Sequence, residues 1–259
     1  MDSQPAKPAG IVQASTPPCL TLEQLEYHPA LVQDAYRLDA LSDGGPTIAS
    51  YRGLSEQDLL NLTVQGDSAA MVILGAMSIM RARKWPVEKA VPFLLHEEPE
   101  LMSYRIERPL SVEFRSHMGQ ARQWFYKAAL HGRILALYRV GDALFFEQGG
   151  AVELGWIDKQ EYEGLSRKEK TALMPANVYN MLAYEVAPEL KSGPFGAIAT
   201  EVMPVTEQQR IIVDGLLTQF SRDLEDAGLP PVVVAESTVP PMEELFSLLC
   251  EGEAADLPL

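Results

Sequence analysis

Cysteine, histidine and positive charge are all scarce in this chain. Its 259 residues include two cysteines and four histidines, and 21 Lys and Arg stand against 36 Asp and Glu. Cys19 and Cys250 lie near opposite ends at no metal-ligand spacing, which excludes a zinc-finger type of site. They are two independent thiols or, in an oxidising compartment, one terminus-to-terminus disulfide. The shortage of Lys and Arg leaves a net charge of −15. Such a chain repels phosphate backbones, so nucleic acid is not the expected partner. The acid either steers a basic partner toward the surface or only supplies solubility. No window approaches the roughly 18 to 20 uninterrupted apolar residues that span a bilayer, so no membrane span is expected. Met1-Asp2-Ser3 lacks a basic region followed by an apolar core, so no signal peptide is visible and the literal reading is cytoplasmic. Residues 1–18 are nevertheless polar and Pro/Ala-rich, like the leader of a mature exported protein. If a signal has been removed ahead of Met1, the compartment is the periplasm.

Signatures of catalysis are missing too. There is no Gly-x-Ser-x-Gly elbow, no phosphate-cradling loop with its Lys and no His-Glu-x-x-His. The histidines are His28, His96, His117 and His131. His96-Glu97-Glu98 reads as a solvated charged face, because adjacent helical residues point different ways. His131 falls in the last turn before Gly132, where a cation suits a helix C-terminus. Glu97-Glu98 and Glu243-Glu244 lack a local apolar pocket to raise a carboxyl pKa, so neither pair is expected to do acid–base work. The expectation is no catalytic residue, no cofactor and no metal.

What the chain does contain is helical rhythm. Its hydrophobic fraction of 47% and charged fraction of 22% are ordinary for a globular domain. Between Ala121 and Gly150, Ala121, Trp124, Phe125, Ala128 and Ala129 recur at i, i+3, i+4, i+7 and i+8. Ile134, Leu137, Tyr138, Gly141, Leu144 and Phe145 continue that rhythm beyond Gly132. This predicts two helices joined almost without spacer, hence antiparallel. Trp124, Phe125 and Phe145 lie on the stripes and are expected in the core. Tyr126 and Phe146 lie off them and are candidate partner anchors or packing groups for a further helix.

A second helix–Gly–helix unit lies upstream. Ser55 and Asp58 open one helix, Gly66 ends it, and Asp67 caps the next. Gly66 to Gly132 is 66 residues, and so is Gly75 to Gly141. Glycine inside a helix costs about 1 kcal/mol against alanine, so Gly75 and Gly141 call for a close helix–helix approach. Pro86, Pro92, Pro99 and Pro109 argue that about 84–118 is an insertion, with a short helix near Val87 to Leu101 and an extended stretch from Tyr104 to Phe114. Elsewhere, helices are expected over Leu20 to Leu41, Pro175 to Leu190, Thr206 to Ala227 and Pro241 to Cys250, with Val232 to Val234 a short strand or bound arm. The expected organisation is a disordered or extended leader at 1–18, a single helical domain at 19–229, and a C-terminal arm and helix at 230–259. The fold class is all-α: a short α-solenoid of antiparallel helix pairs with helical flanks and an insertion.

The central stretch resembles the Sel-one-like repeats, relatives of the tetratricopeptide helix pairs. Their W-[YF]-x-K-A-A-x-x-G helix end, followed by a small-residue helix and a Gly-rich turn, is met by Trp124, Phe125, Lys127, Ala128, Ala129, Gly132, Ala136, Gly141 and Gly149, with Val140 in place of the usual Leu. Gly66, Asp67, Ala70, Leu74 and Gly75 match upstream. The likeness covers roughly residues 54–83 and 119–150 and implies two repeats with non-repeat flanks. It also implies scaffolding rather than catalysis: a non-enzymatic protein-binding protein. Related bacterial proteins act as immunity proteins that neutralise secreted toxins, including periplasmic ones that counter type VI lipase effectors. The expected partner is a cognate toxin with a basic surface, engaged through Tyr126, Phe146, Glu97 and Glu98. A general adaptor in envelope or signalling assemblies is the alternative, and an enzyme with a site in the insertion is a third.

Overall fold

The computed structural model describes Thr21 and residues 29–42, 44–97, 110–191 and 206–234. Its regular structure is entirely helical, with no strand among the described residues. In chain order these residues form α1 (Pro29–Leu41), α2 (Gly45–Ala49), α3 (Glu56–Val64), α4 (Ser68–Ala82), a 3-10 turn (Val87–Lys89), α5 (Ala90–Leu94), α6 (Val112–Leu130) and α7 (Ala136–Gln148). Then follow α8 (Lys159–Gly164), α9 (Arg167–Ala172), α10 (Pro175–Val186), a second 3-10 turn (Pro188–Lys191) and α11 (Glu207–Asp226).

Short polar side chains start most of these helices by satisfying amides that have no intrahelical partner. On α3, Ser55 accepts from the Asp58 amide at 3.2 Å while the Asp58 carboxylate accepts from the Ser55 amide at 3.1 Å. Ser166 and Glu169 form the same reciprocal box on α9. Asp67 accepts from the Ala70 amide on α4, Ser111 from Phe114 on α6, and Thr206 from Gln209 on α11. Gly66 (φ +84°) and Gly132 (φ +98°) supply the left-handed turns that end α3 and α6. These two junctions lie side by side, since a Cβ on Gly66 would stand 3.3 Å from His131 Nδ1.

Helix α4 is the hub. Every residue from Ala69 to Met80 is buried, as expected for a helix apolar all round. It packs against α3, α5 and α6; α6 packs on α7, α7 on α10, and α10 on α11. Spatial order thus follows chain order. The core includes Ile48, Leu59, Met71, Phe125, Leu137, Leu182 and Phe220. A smaller cluster of Ala151, Ile157 and Leu173 lies beneath the turn after Gly150.

Gly75 and Gly141 each face a neighbouring helix closely. A Cβ on Gly75 of α4 would lie 2.8 Å from the Phe125 ring of α6. A Cβ on Gly141 of α7 would lie 2.5 Å from the Ala176 Cα at the start of α10 and closer still to the Pro175 carbonyl oxygen. Gly75 and Gly141 therefore sit where helices touch.

Several sequence expectations are corrected. Residues 112–114, expected to be extended, form the first turn of α6, so the supposed insertion gives up its last residues to that helix. The short helix expected near Val87 to Leu101 is a 3-10 turn and one α-turn that stop at Leu94. Trp124 and Phe145 are only half-buried, whereas Phe125 is fully enclosed. Of the two readings of Val232 to Val234, strand or bound arm, the structure has the arm: these residues form no strand, and Val234 is buried against the core. Burial, and after it the charge of Lys127, moves the His131 pKa below the usual imidazole value, which works against the cation expected at the end of α6. The leader at 1–18, the helix from Pro241 to Cys250, both cysteines and Glu98 lie outside the described residues.

One tie left no local trace in the sequence. Arg133, just past Gly132, is buried and donates from Nη1 to the backbone oxygens of Asp39 at 2.9 Å and Ser42 at 2.6 Å. The Leu135 amide donates to the Leu41 oxygen at 3.0 Å. The α6–α7 junction thereby holds the end of α1.

Candidate functional site

The structure distributes the expected contact residues over different depressions. One is a cleft of about 990 Å³ where α7 ends and α8 begins. Phe145 and Phe146 form its wall, with ring centroids 5.4 Å apart at 74°. Phe146 also meets Phe114 edge-on at 6.2 Å. The charged rim carries Arg115, Glu153, Lys159 and Glu163. Gly149 (φ +114°) allows the backbone to turn here, and the Gly150 amide donates to Glu153 Oε2 at 2.9 Å. Phe146 is thus half-buried, seated in an aromatic cluster with one side on the cleft.

Tyr126 lies elsewhere. Its hydroxyl donates to Asp223 Oδ2 at 2.7 Å, and its ring stands edge-on to Phe220 at 5.8 Å. Tyr126 therefore holds α11 against α6. Burial first, then the Asp223 hydrogen bond, raises its pKa well above the ordinary tyrosine value. Glu97, the last described residue before 98–109, is exposed and pairs with Arg52. Arg52 lies on a third depression of about 440 Å³ with Leu59, Ile73, Met77 and Val91 at its base. Tyr126, Phe146 and Glu97 thus belong to three separate places. Four of the motif residues, by contrast, share the core: Leu74, Ala128, Ala129 and Ala136 are all nearly or fully enclosed.

Other polar features were not anticipated. Arg122 of α6 pairs with Glu147 of α7, Nε to Oε2 at 2.5 Å and Nη2 to Oε1 at 3.4 Å. Arg83 and Arg139 each place a guanidinium by the Phe93 ring, 5.6 and 5.3 Å from its centroid, and line a cavity of about 160 Å³ with Asp142. Tyr179 of α10 is buried to 8% exposure beside Arg122 and Tyr126. The groups that meet across each of these contacts, Arg122 with Glu147, Arg83 and Arg139 with Phe93, and Tyr179 with Arg122, come from different elements, so no local spacing links them.

Tyr51, Tyr126, Tyr179 and Tyr184 are all moved upward, chiefly by burial. Among the described residues no group of three or more His, Cys, Asp or Glu is placed to hold a metal ion. No helix among them is long and apolar enough to cross a membrane. What the surface offers is shape, aromatic edges and charge. Comparison of the chain with protein-family models, curated proteins and solved structures gives no match.

Proposed function

We propose that the chain is a non-enzymatic helix-pair repeat protein that binds another protein, and within that class a bacterial immunity protein that neutralises a secreted toxin by covering it. The observation that carries this reading is the paired use of Gly75 and Gly141. They stand 66 residues apart, each inside the second helix of a pair, and each takes the close approach of a neighbouring helix. Two units with the same device, stacked in chain order, are what a short solenoid requires. The open cleft with Phe145 and Phe146 on its wall adds a surface able to seat a partner's side chains. The net charge of −15 favours a basic partner. Inhibition is then steric, or comes from acidic side chains filling a basic active site.

The test is capture of the neighbouring gene's product by the full chain, together with rescue of cells that express that product. Binding with rescue supports the reading. Failure of both ends the immunity version, and binding without rescue turns it into an adaptor.

A further inference from the structure

We infer that the ion pairs Glu56–Arg81 and Arg122–Glu147 sort the helices as the chain folds: their opposite sense assigns each first helix to its own second helix and keeps the two units from exchanging helices. This rests on the two-unit part of the reading above and needs no partner protein.

The two pairs hold the same place in the two units. Glu56 of α3 accepts from Arg81 Nη2 of α4 at 2.5 Å. Arg122 Nε of α6 donates to Glu147 Oε2 of α7 at 2.5 Å. Glu56 to Arg122 is 66 residues, and so is Arg81 to Glu147. The same interval separates Gly66 from Gly132 and Gly75 from Gly141. Leu59 and Phe125 are also 66 residues apart, and both are enclosed in the core. Each bridge thus ties the first helix of a unit to the last turn of the second. In one unit the acid is on the first helix, and in the other it is on the second.

The folded state does not need this inversion. The side chains of Glu56 and Arg81 are 43% and 32% exposed, and those of Arg122 and Glu147 are 29% and 21% exposed. A partly exposed bridge contributes little to stability, and the same little whichever helix carries the acid. What the inversion changes is the wrong pairings. Helices α3 and α6 share a register of apolar and charged positions, so each competes for the other's seat. The seats are close, because Gly66 and His131 abut where the two turns meet. Repeat proteins misassemble by exchange of this kind. With the observed charges, α6 on α4 in place of α3 sets Arg122 against Arg81. In the same way, α3 on α7 in place of α6 sets Glu56 against Glu147. Each wrong pairing loses a bridge and gains a repulsion, which discriminates where attraction alone does not.

The experiment refolds the full chain by dilution from urea at fixed protein concentration and reads the monomer fraction by size exclusion. E56R/R81E and R122E/E147R each keep both bridges but give the two units the same sense. Each should lower the monomer fraction by about threefold, while the urea midpoint of the recovered monomer stays near the native one. E56R/R81E/R122E/E147R inverts both bridges and restores their opposition, so its monomer fraction should return to the native level. In about 1 M NaCl, where the screening length falls to about 3 Å, the native chain should lose much of its advantage over the same-sense variants. Should R122E/E147R fail to fold, its charges being the more enclosed, E56R/R81E and the fourfold variant still decide. The proposal is overturned if E56R/R81E refolds as cleanly as the native chain. It is equally overturned if the fourfold variant refolds no better than E56R/R81E, since the loss then comes from the substitutions and not from the shared sense. Either failure leaves the binding reading standing, because capture of a partner is measured on the folded native chain.

Discussion

Alanine at Gly215, Gly75 and Gly141 separates helix propensity from helix contact. Gly215 lies on the exposed side of α11 with nothing near a would-be Cβ. Gly215→Ala should stabilise by roughly 0.5–1 kcal/mol through propensity alone. Gly75→Ala meets the Phe125 ring, a side chain that is itself fully enclosed, and should destabilise. Gly141→Ala meets the backbone of Pro175 and Ala176, which shifts only if α10 moves, and should be the worst of the three, by about 1–3 kcal/mol. Urea denaturation of the three variants checks the order; a neutral Gly141→Ala would mean that α10 does not press on α7. The same scale holds an alkaline prediction. Tyr51 donates to Asp67 Oδ2 at 2.5 Å, and burial followed by that bond pushes its pKa up to about 12. A phenol whose folded pKa exceeds its unfolded one stabilises fully below the unfolded value near 10, and loses this as pH rises toward 12. Thermal melts from pH 9 to 12 should fall less steeply for Tyr51→Phe than for the native chain. Parallel slopes would show that Asp67 gains nothing from the phenol.

At the scale of the element, the first helices depend on a side chain from far along the chain. Arg133 gives two hydrogen bonds to the carbonyls that end α1, and charged donors of this kind contribute about 1.5–3 kcal/mol each. Arg133→Met should therefore lower stability by a few kcal/mol. Hydrogen exchange should show amides of α1 and α2 losing protection before those of α6 and α7. Uniform loss along the chain would mean that the corner is held some other way. This contact also explains what sequence reading could reach. Helix starts were legible because Ser55 and Asp67 act on amides three residues away. The glycine notches were legible because a residue that weakens a helix needs a reason. Arg133 was not, since its acceptors lie 91 and 94 residues back. Tyr126 looked like an off-stripe group because one stripe presumes one buried side, whereas α6 is covered by α4, by α7 and, at Tyr126, by α11. Trp124 errs the other way: its ring is half-exposed, with the Lys127 ammonium 5.4 Å from its centroid.

For the molecule as a whole, charge is the dominant imbalance. With −15 spread over 259 residues, the folded state carries self-repulsion that salt relieves. Going from 0.01 to 0.1 M salt shortens the screening length from about 30 to about 10 Å. Tm should therefore rise with NaCl, by about 2–4 °C for each kcal/mol gained at this size. A falling Tm would show that close pairs such as Arg122–Glu147 and Arg81–Glu56 outweigh the long-range field. The Arg133 clamp has a further consequence, in time rather than in energy. A ribosome adds about 5–20 residues each second, so roughly 5–19 s pass between Asp39 and the arginine that secures it. Through that interval the nascent N-terminal corner has no latch, and vectorial synthesis leaves it open to chaperones until the middle of the protein emerges.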